Sequence, residues 1–390
     1  MKILHVTPTY LPAVRYGGPI FAVHGLCRAL VTRGHQVDVF TTTIDGPDDS
    51  NVPLAIPVNL DSVKVHYFAS PFLRRLAWAP TMKGVLRQEA AKAAVMHLHS
   101  VFLWPTYAAA SAARTARTPY VVGPRGALVK KLVRKRNQLL KTAWIALVER
   151  STFEHAAAIH VTSKVEAVEL QRFGWNLPRI AVIPNGVDEP VNLVGLPAAD
   201  VQLITRQQPL VLFLGRLSWV KGLDRLLQAF ALTRVGTLAI VGPDYENLLP
   251  QLLHSTTKLG IAERVHFLPR IVVGLDKERI FSAAQVLVLP SYSENFGNTI
   301  LEAMIRSVPV VVTREVGAAD IVSQSGGGVV VEGEPNILAE AIAGLLENPQ
   351  RARQIGQTGR YYVAERYSWS SVAAQMEQLY EEIRVPGHKC

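Results

Sequence analysis

Cysteine is nearly absent from this 390-residue chain, which has only Cys27 and Cys390. Two thiols cannot build a disulfide framework, and neither stands among other metal-ligating residues, so an oxidised secreted scaffold is excluded and a reducing cytosol is the expected compartment. Long hydrophobic runs are lacking as well. Residues 1–6 run into Pro8 and Pro12 too soon for the apolar core of a signal peptide. The most apolar long segment, 93–113, is interrupted by His97, His99 and Pro105 and does not form a simple transmembrane helix. Two familiar phosphate-binding patterns are missing too. The pair Gly17-Gly18 lacks the three spaced glycines of a dinucleotide fingerprint, and in residues 215–222 the lysine is followed by glycine, which excludes a Walker loop. The adjacent acids Asp48-Asp49 lie in a Gly-Pro turn region and read as loop, not as a metal-binding pair.

What is present is an ordinary α/β composition, 49% hydrophobic with 7% aromatic residues, in a chain long enough for two separate cores. A formal net charge of +10 calls for an anionic partner: a nucleotide diphosphate, an anionic membrane or a nucleic acid. Residues 3–6 form a strand, Gly17-Gly18 a tight loop, and Pro19 opens a helix with Ile20, Val23, Leu26 and Leu30 at helical spacing. Gly34 ends that helix before the next strand at 37–40. This βαβ beginning predicts a parallel sheet. The pattern restarts at 211–214, followed by a loop with Arg216 and Lys221 and a helix with Leu226, Leu227 and Phe230. Two Rossmann-like domains are therefore expected, at 1–190 and 207–367, with a linker at about 190–207. A last helix over 368–384 carries Val372, Met376, Leu379 and Ile383 on one face.

The most informative stretch is 286–304. Val286-Leu287-Val288-Leu289 reads as a buried strand, Pro290 breaks it, a polar loop carries Glu294, Phe296 and Gly297, and a helix begins near Asn298. A helix start offers unpaired N–H groups to an anion. Glu294 lies before it and Glu302 about one turn into the helix, an arrangement suited to two hydroxyl-rich groups joined by a diphosphate. Arg216 and Lys221 sit at the C-terminal end of a strand, where α/β sheets present ligands.

Two glutamates seven residues apart around Phe296-Gly297, followed by Ala303-Met304, resemble the signature of retaining glycosyltransferases of family 4, which have the GT-B fold. The resemblance covers nearly the whole chain and is strongest over 211–312. It implies two facing Rossmann-like domains and a terminal helix that crosses back onto the first. It implies that Glu294 contacts the donor sugar, that Glu302 holds the ribose hydroxyls, and that the backbone at Asn298 and Thr299 meets the diphosphate. It further implies that Arg216 and Lys221 neutralise that diphosphate in place of a metal, and that the Gly17-Gly18 loop approaches the donor phosphate. No cofactor and no metal are then expected. The expected reaction moves a sugar from a UDP- or GDP-linked donor to an acceptor hydroxyl with retention, in polysaccharide or glycolipid assembly. The alternatives are a nucleotide-sugar epimerase or hydrolase of the same fold and a non-catalytic, membrane-associated binding protein.

Three features stand apart from the signature. His97 and His99 share one strand face but show no third metal ligand, so His99 is a candidate acceptor-side contact and not a metal site. Arg125, in Gly123-Pro124-Arg125-Gly126, stands where many relatives have a histidine. Since arginine is no base at neutral pH, its expected role is charge stabilisation or hydrogen bonding. The basic stretch 130–141, beginning with Lys130, itself a candidate acceptor-side residue, has the composition of an amphipathic helix for an anionic bilayer, or of a solvated helix face. It lacks interleaved aromatics and has no recognisable RNA or DNA module around it, so nucleic acid is not expected. A peripheral position on the inner membrane face, with a sugar or lipid-linked acceptor, is the expectation.

Overall fold

The computed structural model describes residues 1–54, 56–128, 144–192 and 194–384. The chain divides into two compact units, Met1–Gly186 with Trp369–Cys390, and Val187–Ser368.

In the first unit, β1 (Lys2–Val6) and β2 (Gln36–Thr42) flank the helix Gly18–Thr32, and a small hairpin pairs β3 (Ile44–Asp45) with β4 (Asp48–Asp49). Then follow β5 (Val58–Leu60), β6 (Val63–Phe68), β7 (Val95–His99), β8 (Tyr120–Gly123), β9 (Ala158–Val161) and β10 (Ile180–Val182). The large sheet has the order β10-β9-β8-β7-β1-β2-β6-β5 and is parallel except for β5. Side chains alternate between its faces with the period of two that a strand imposes. Leu4, Phe40 and Met96 enter one core, while Ile3, Val39 and Val95 enter another. The helix Trp369–Ile383 covers the second of these with Val372, Met376, Leu379 and Tyr380, beside the Gly18–Thr32 helix. Its first residue is seated by two glycines. A Cβ on Gly25 would lie 2.2 Å from Trp369 Cε2, and one on Gly186 would lie 2.6 Å from Trp369 Cδ2.

The second unit has one sheet, order β13-β12-β11-β14-β15-β16, parallel throughout. Its strands are β11 (Leu210–Leu214), β12 (Thr237–Val241), β13 (Val265–Leu268), β14 (Ala284–Leu289), β15 (Val310–Thr313) and β16 (Gly328–Val331). The run 190–207 differs from the expected linker. It contains the helix Ala199–Thr205, whose Val201 and Ile204 are buried in the second core, and the change of unit falls at Gly186 and Val187. A helix of seven residues with two buried apolar side chains gives too little periodicity to stand out from loop. The chain enters and leaves the second unit at neighbouring points, because Val187 N donates to Tyr367 O at 2.9 Å and Val187 bridges Ser368 in parallel.

Candidate functional site

In an open parallel sheet, ligands bind where the strand order reverses, outside the carboxyl ends. In the second unit that point lies between β11 and β14, the neighbours that carry Gly215–Lys221 and Pro290–Gly297 on the loops beyond them. The two loops are tied to each other. Tyr292 N donates to Val220 O at 2.8 Å, and Gly222, at φ +67°, passes so close that a Cβ would lie 2.1 Å from the Pro290 carbonyl oxygen. Glu294 is fixed from the far side as well. Its N–H donates to Glu315 O at 3.2 Å, its carbonyl accepts from Gly317 N at 2.9 Å, and Phe296 O accepts from Ala318 N at 2.9 Å.

These restraints bring Lys221 and Glu294 together. Lys221 Nζ donates to Glu294 Oε2, and each side chain is 16% exposed. Arg216 is exposed and makes no ion pair among the described residues. Phe296 is in the core, and Gly297 caps the helix Asn298–Met304 with φ +89°, a backbone that favours glycine. Asn298 and Thr299 form its first turn, and Glu302 accepts from Lys277 Nζ at 2.8 Å. Lys277 is invisible to sequence reasoning because it lies on another helix, Gly274–Ala283. So is Glu246, which shapes the cationic loop by accepting from Ser218 Oγ at 2.6 Å and from Trp219 N at 3.3 Å.

The first unit reverses its strand order between β1 and β7. The expectation that His97 and His99 stand without a third imidazole needs correction. His5 lies opposite His97 in the β1–β7 register, His160 approaches from β9, and all four rings are buried. Strand alternation puts them on the face covered by the last helix, so they meet although their positions span most of the unit. His160 Nε2 donates to Ile183 O at 2.8 Å, which leaves Nδ1 to accept from His97 Nε2 at 3.3 Å and His97 Nδ1 to accept from the Tyr380 hydroxyl at 2.7 Å. Arg125 Nη2 donates to His99 Nδ1 at 3.1 Å, and His99 Nε2 then donates to His5 Nδ1 at 3.0 Å. Burial, reinforced by the Arg125 charge, lowers His5 and His160 to about 3 and holds His97 and His99 well below the usual imidazole range.

Ring nitrogens of His5, His97 and His99 all lie within 4.8 Å of one another, the kind of set a transition metal uses. The neighbouring guanidinium opposes a second cation there. Elsewhere in this unit, Gly17 has φ +72° and Gly18 opens its helix, with Pro19 in the first turn. Lys130 and the basic stretch 130–141 lie outside the described residues.

The model described as "Glycosyl transferases group 1" matches residues 199–362, and that described as "Glycosyl transferase 4-like domain" matches 17–186. The chain belongs to the family-4-type glycosyltransferases and has the GT-B fold. It is 27% identical to an uncharacterised glycosyltransferase of Methanocaldococcus jannaschii, over 98% of each chain. It also superposes on sucrose-phosphate synthase of Thermosynechococcus elongatus with a TM-score of 0.78 and 25% identity, over 98% of each chain. An Anabaena protein solved with UDP-glucose has the same fold, with a TM-score of 0.74 and 22% identity over 98% of this glycosyltransferase and 100% of that chain.

Proposed function

We propose that this glycosyltransferase moves a sugar from a nucleotide-diphosphate sugar to an acceptor hydroxyl with retention of configuration and without a metal. The observation that carries the reading is the contact of Lys221 with Glu294 at the reversal point of the second sheet, with the exposed Arg216 on the same loop. The bond from the anomeric carbon to the diphosphate oxygen breaks, and the acceptor oxygen bonds to that carbon on the same face. The acceptor proton passes to the leaving oxygen. Arg216 and Lys221 offset the charge that develops on the diphosphate, Glu294 orients the sugar and steadies its positive charge, and Glu302 holds the ribose. Asn298 and Thr299 approach the diphosphate with backbone N–H groups, and the Gly17-Gly18 loop is assigned to the donor phosphate as well. His99, the expected acceptor-side contact, is buried with both ring nitrogens engaged, so we assign it to holding Arg125 and not to touching the acceptor itself.

The fold neighbour from Anabaena, solved with UDP-glucose, makes UDP the first nucleotide to test and GDP the second. Polysaccharide or glycolipid assembly is the setting we assign, with a lipid-linked acceptor at the inner membrane face. Flotation with anionic liposomes at low salt tests that setting, and protein left in the soluble fraction would count against it. The reaction is tested by a thermal-shift panel of UDP, GDP, ADP and their sugar conjugates, with and without a chelator, followed by NMR of the anomeric linkage in the product. A nucleotide-specific shift that survives the chelator, and a product with the donor's anomeric configuration, are expected. An inverted linkage would refute retention, and a response to metal only would refute metal independence.

A further inference from the structure

Among the described residues the Arg125 guanidinium has no carboxylate within ion-pair distance. It lies just beyond β8, at the carboxyl edge of the first sheet, in a turn where φ is +53°. Two of its N–H groups are engaged, both by neutral acceptors: His99 Nδ1 and Asn185 Oδ1, each at 3.1 Å. Its Nε is buried without a partner. The carboxylate that could neutralise it is committed elsewhere. Glu166 accepts from Gly126 N at 2.6 Å, from Thr162 N at 2.8 Å and from Thr162 Oγ1 at 3.1 Å, so its charge favours the guanidinium from a distance but its oxygens are spent on the turn and make no ion pair with it.

Arginine does not release its charge at neutral pH, and a cation largely withdrawn from water is costly unless an anion faces it. The nearby imidazoles do nothing to compensate, since all four are neutral and Arg125 itself opposes their protonation. Arg125 nevertheless keeps part of its surface open, so an incoming group can reach it. A guanidinium with donors to spare suits an oxyanion with several acceptor oxygens. A neutral sugar hydroxyl would leave the charge unmatched.

We propose that Arg125 binds a phosphate-type anion carried by the acceptor substrate, so that the acceptor is a phosphorylated molecule and not a neutral sugar. This rests on the transferase reading above, in which the donor diphosphate belongs to Arg216 and Lys221 of the second unit.

The test titrates the full-length protein with inorganic phosphate at constant ionic strength, using calorimetry, and separately with UDP and GDP. Wild type is compared with Arg125→Gln, Asn185→Asp and Lys221→Ala. Asn185→Asp places a carboxylate on Arg125 Nη1 and satisfies the cation internally, so it decides the matter if Arg125→Gln does not fold. Phosphate affinity is expected to fall on the order of tenfold or more in both Arg125→Gln and Asn185→Asp while persisting in Lys221→Ala. The nucleotide should still bind Arg125→Gln. Equal phosphate binding in all four proteins, or none in wild type, would overturn the proposal. Loss of phosphate binding in Lys221→Ala alone would assign the anion to the donor's diphosphate and overturn it as well. Failure of UDP and GDP to bind wild type would instead strike the transferase reading, independently of the phosphate result.

Discussion

Lys221 Nζ donates to Glu294 Oε2 across 73 positions of sequence, so the cation assigned to the leaving group and the carboxylate assigned to the sugar hold each other. A donor that takes up both must exchange this contact for its own. The pair is therefore preorganised, and neither member can be removed without freeing the other.

Lys221→Ala and Glu294→Ala are each expected to lower kcat by about 100-fold or more while leaving the circular dichroism spectrum and thermal midpoint close to wild type. Near-normal turnover in both variants would show that the reaction centre lies elsewhere.

Glu302→Ala removes the carboxylate assigned to the ribose and leaves Lys277 without its partner. Nucleotide affinity should fall on the order of tenfold, with a smaller change in kcat once the donor is saturating. Calorimetry with the nucleotide that shifts the wild-type midpoint measures it.

Gly222→Ala should be harmful without touching any functional group. A methyl would stand 2.1 Å from the Pro290 carbonyl oxygen on a backbone at φ +67°, which forces apart the loops that align Lys221 with Glu294. A loss of about 1–3 kcal/mol in denaturant unfolding, with a fall in kcat, is expected. A fully active, equally stable variant would contradict the account of the two loops.

The four buried imidazoles give stability a definite pH dependence. Their folded-state affinity for protons lies below that of the unfolded chain, so between pH 6.5 and about 3 the unfolded state binds more protons. Stability is expected to be complete above pH 6.5 and to fall progressively on acidification below it. Urea midpoints of wild type and His160→Gln at pH 7 and pH 5 test this. The variant should start lower and lose less on acidification, and identical losses would refute the assignment.

Tyr380→Phe withdraws the hydroxyl that donates to His97 Nδ1 and strands a buried acceptor. A cost of about 1–3 kcal/mol to the first unit is expected from urea unfolding.

How legible the molecule was depended on how local each signal is. The stretch 286–304 announced itself because its strand, loop and helix follow one another directly, and the glutamates ride on that local order. The histidine cluster did not. His5 and His160 each sit in an unremarkable apolar strand, and only the strand order β9-β8-β7-β1 brings them beside His97 and His99. The same reason hid Lys277 from Glu302 and Asn185 from Arg125, since such pairs are made by packing between elements that no spacing rule connects. The helix Ala199–Thr205 was missed because it is short, and the reach of the second unit back to Val187 was missed with it.

The first unit encloses the second in sequence, and this fixes the order in which synthesis can finish them. As the chain grows from its amino end, 186 residues of the first unit emerge long before Trp369 can fill the space between Gly25 and Gly186 or Tyr380 can reach His97. The second unit, whose ends at Val187 and Ser368 already pair, is released whole in the interval. The domain translated first is thus the one completed last, and the face meant for its final helix must wait, uncovered, while the other half of the protein is made.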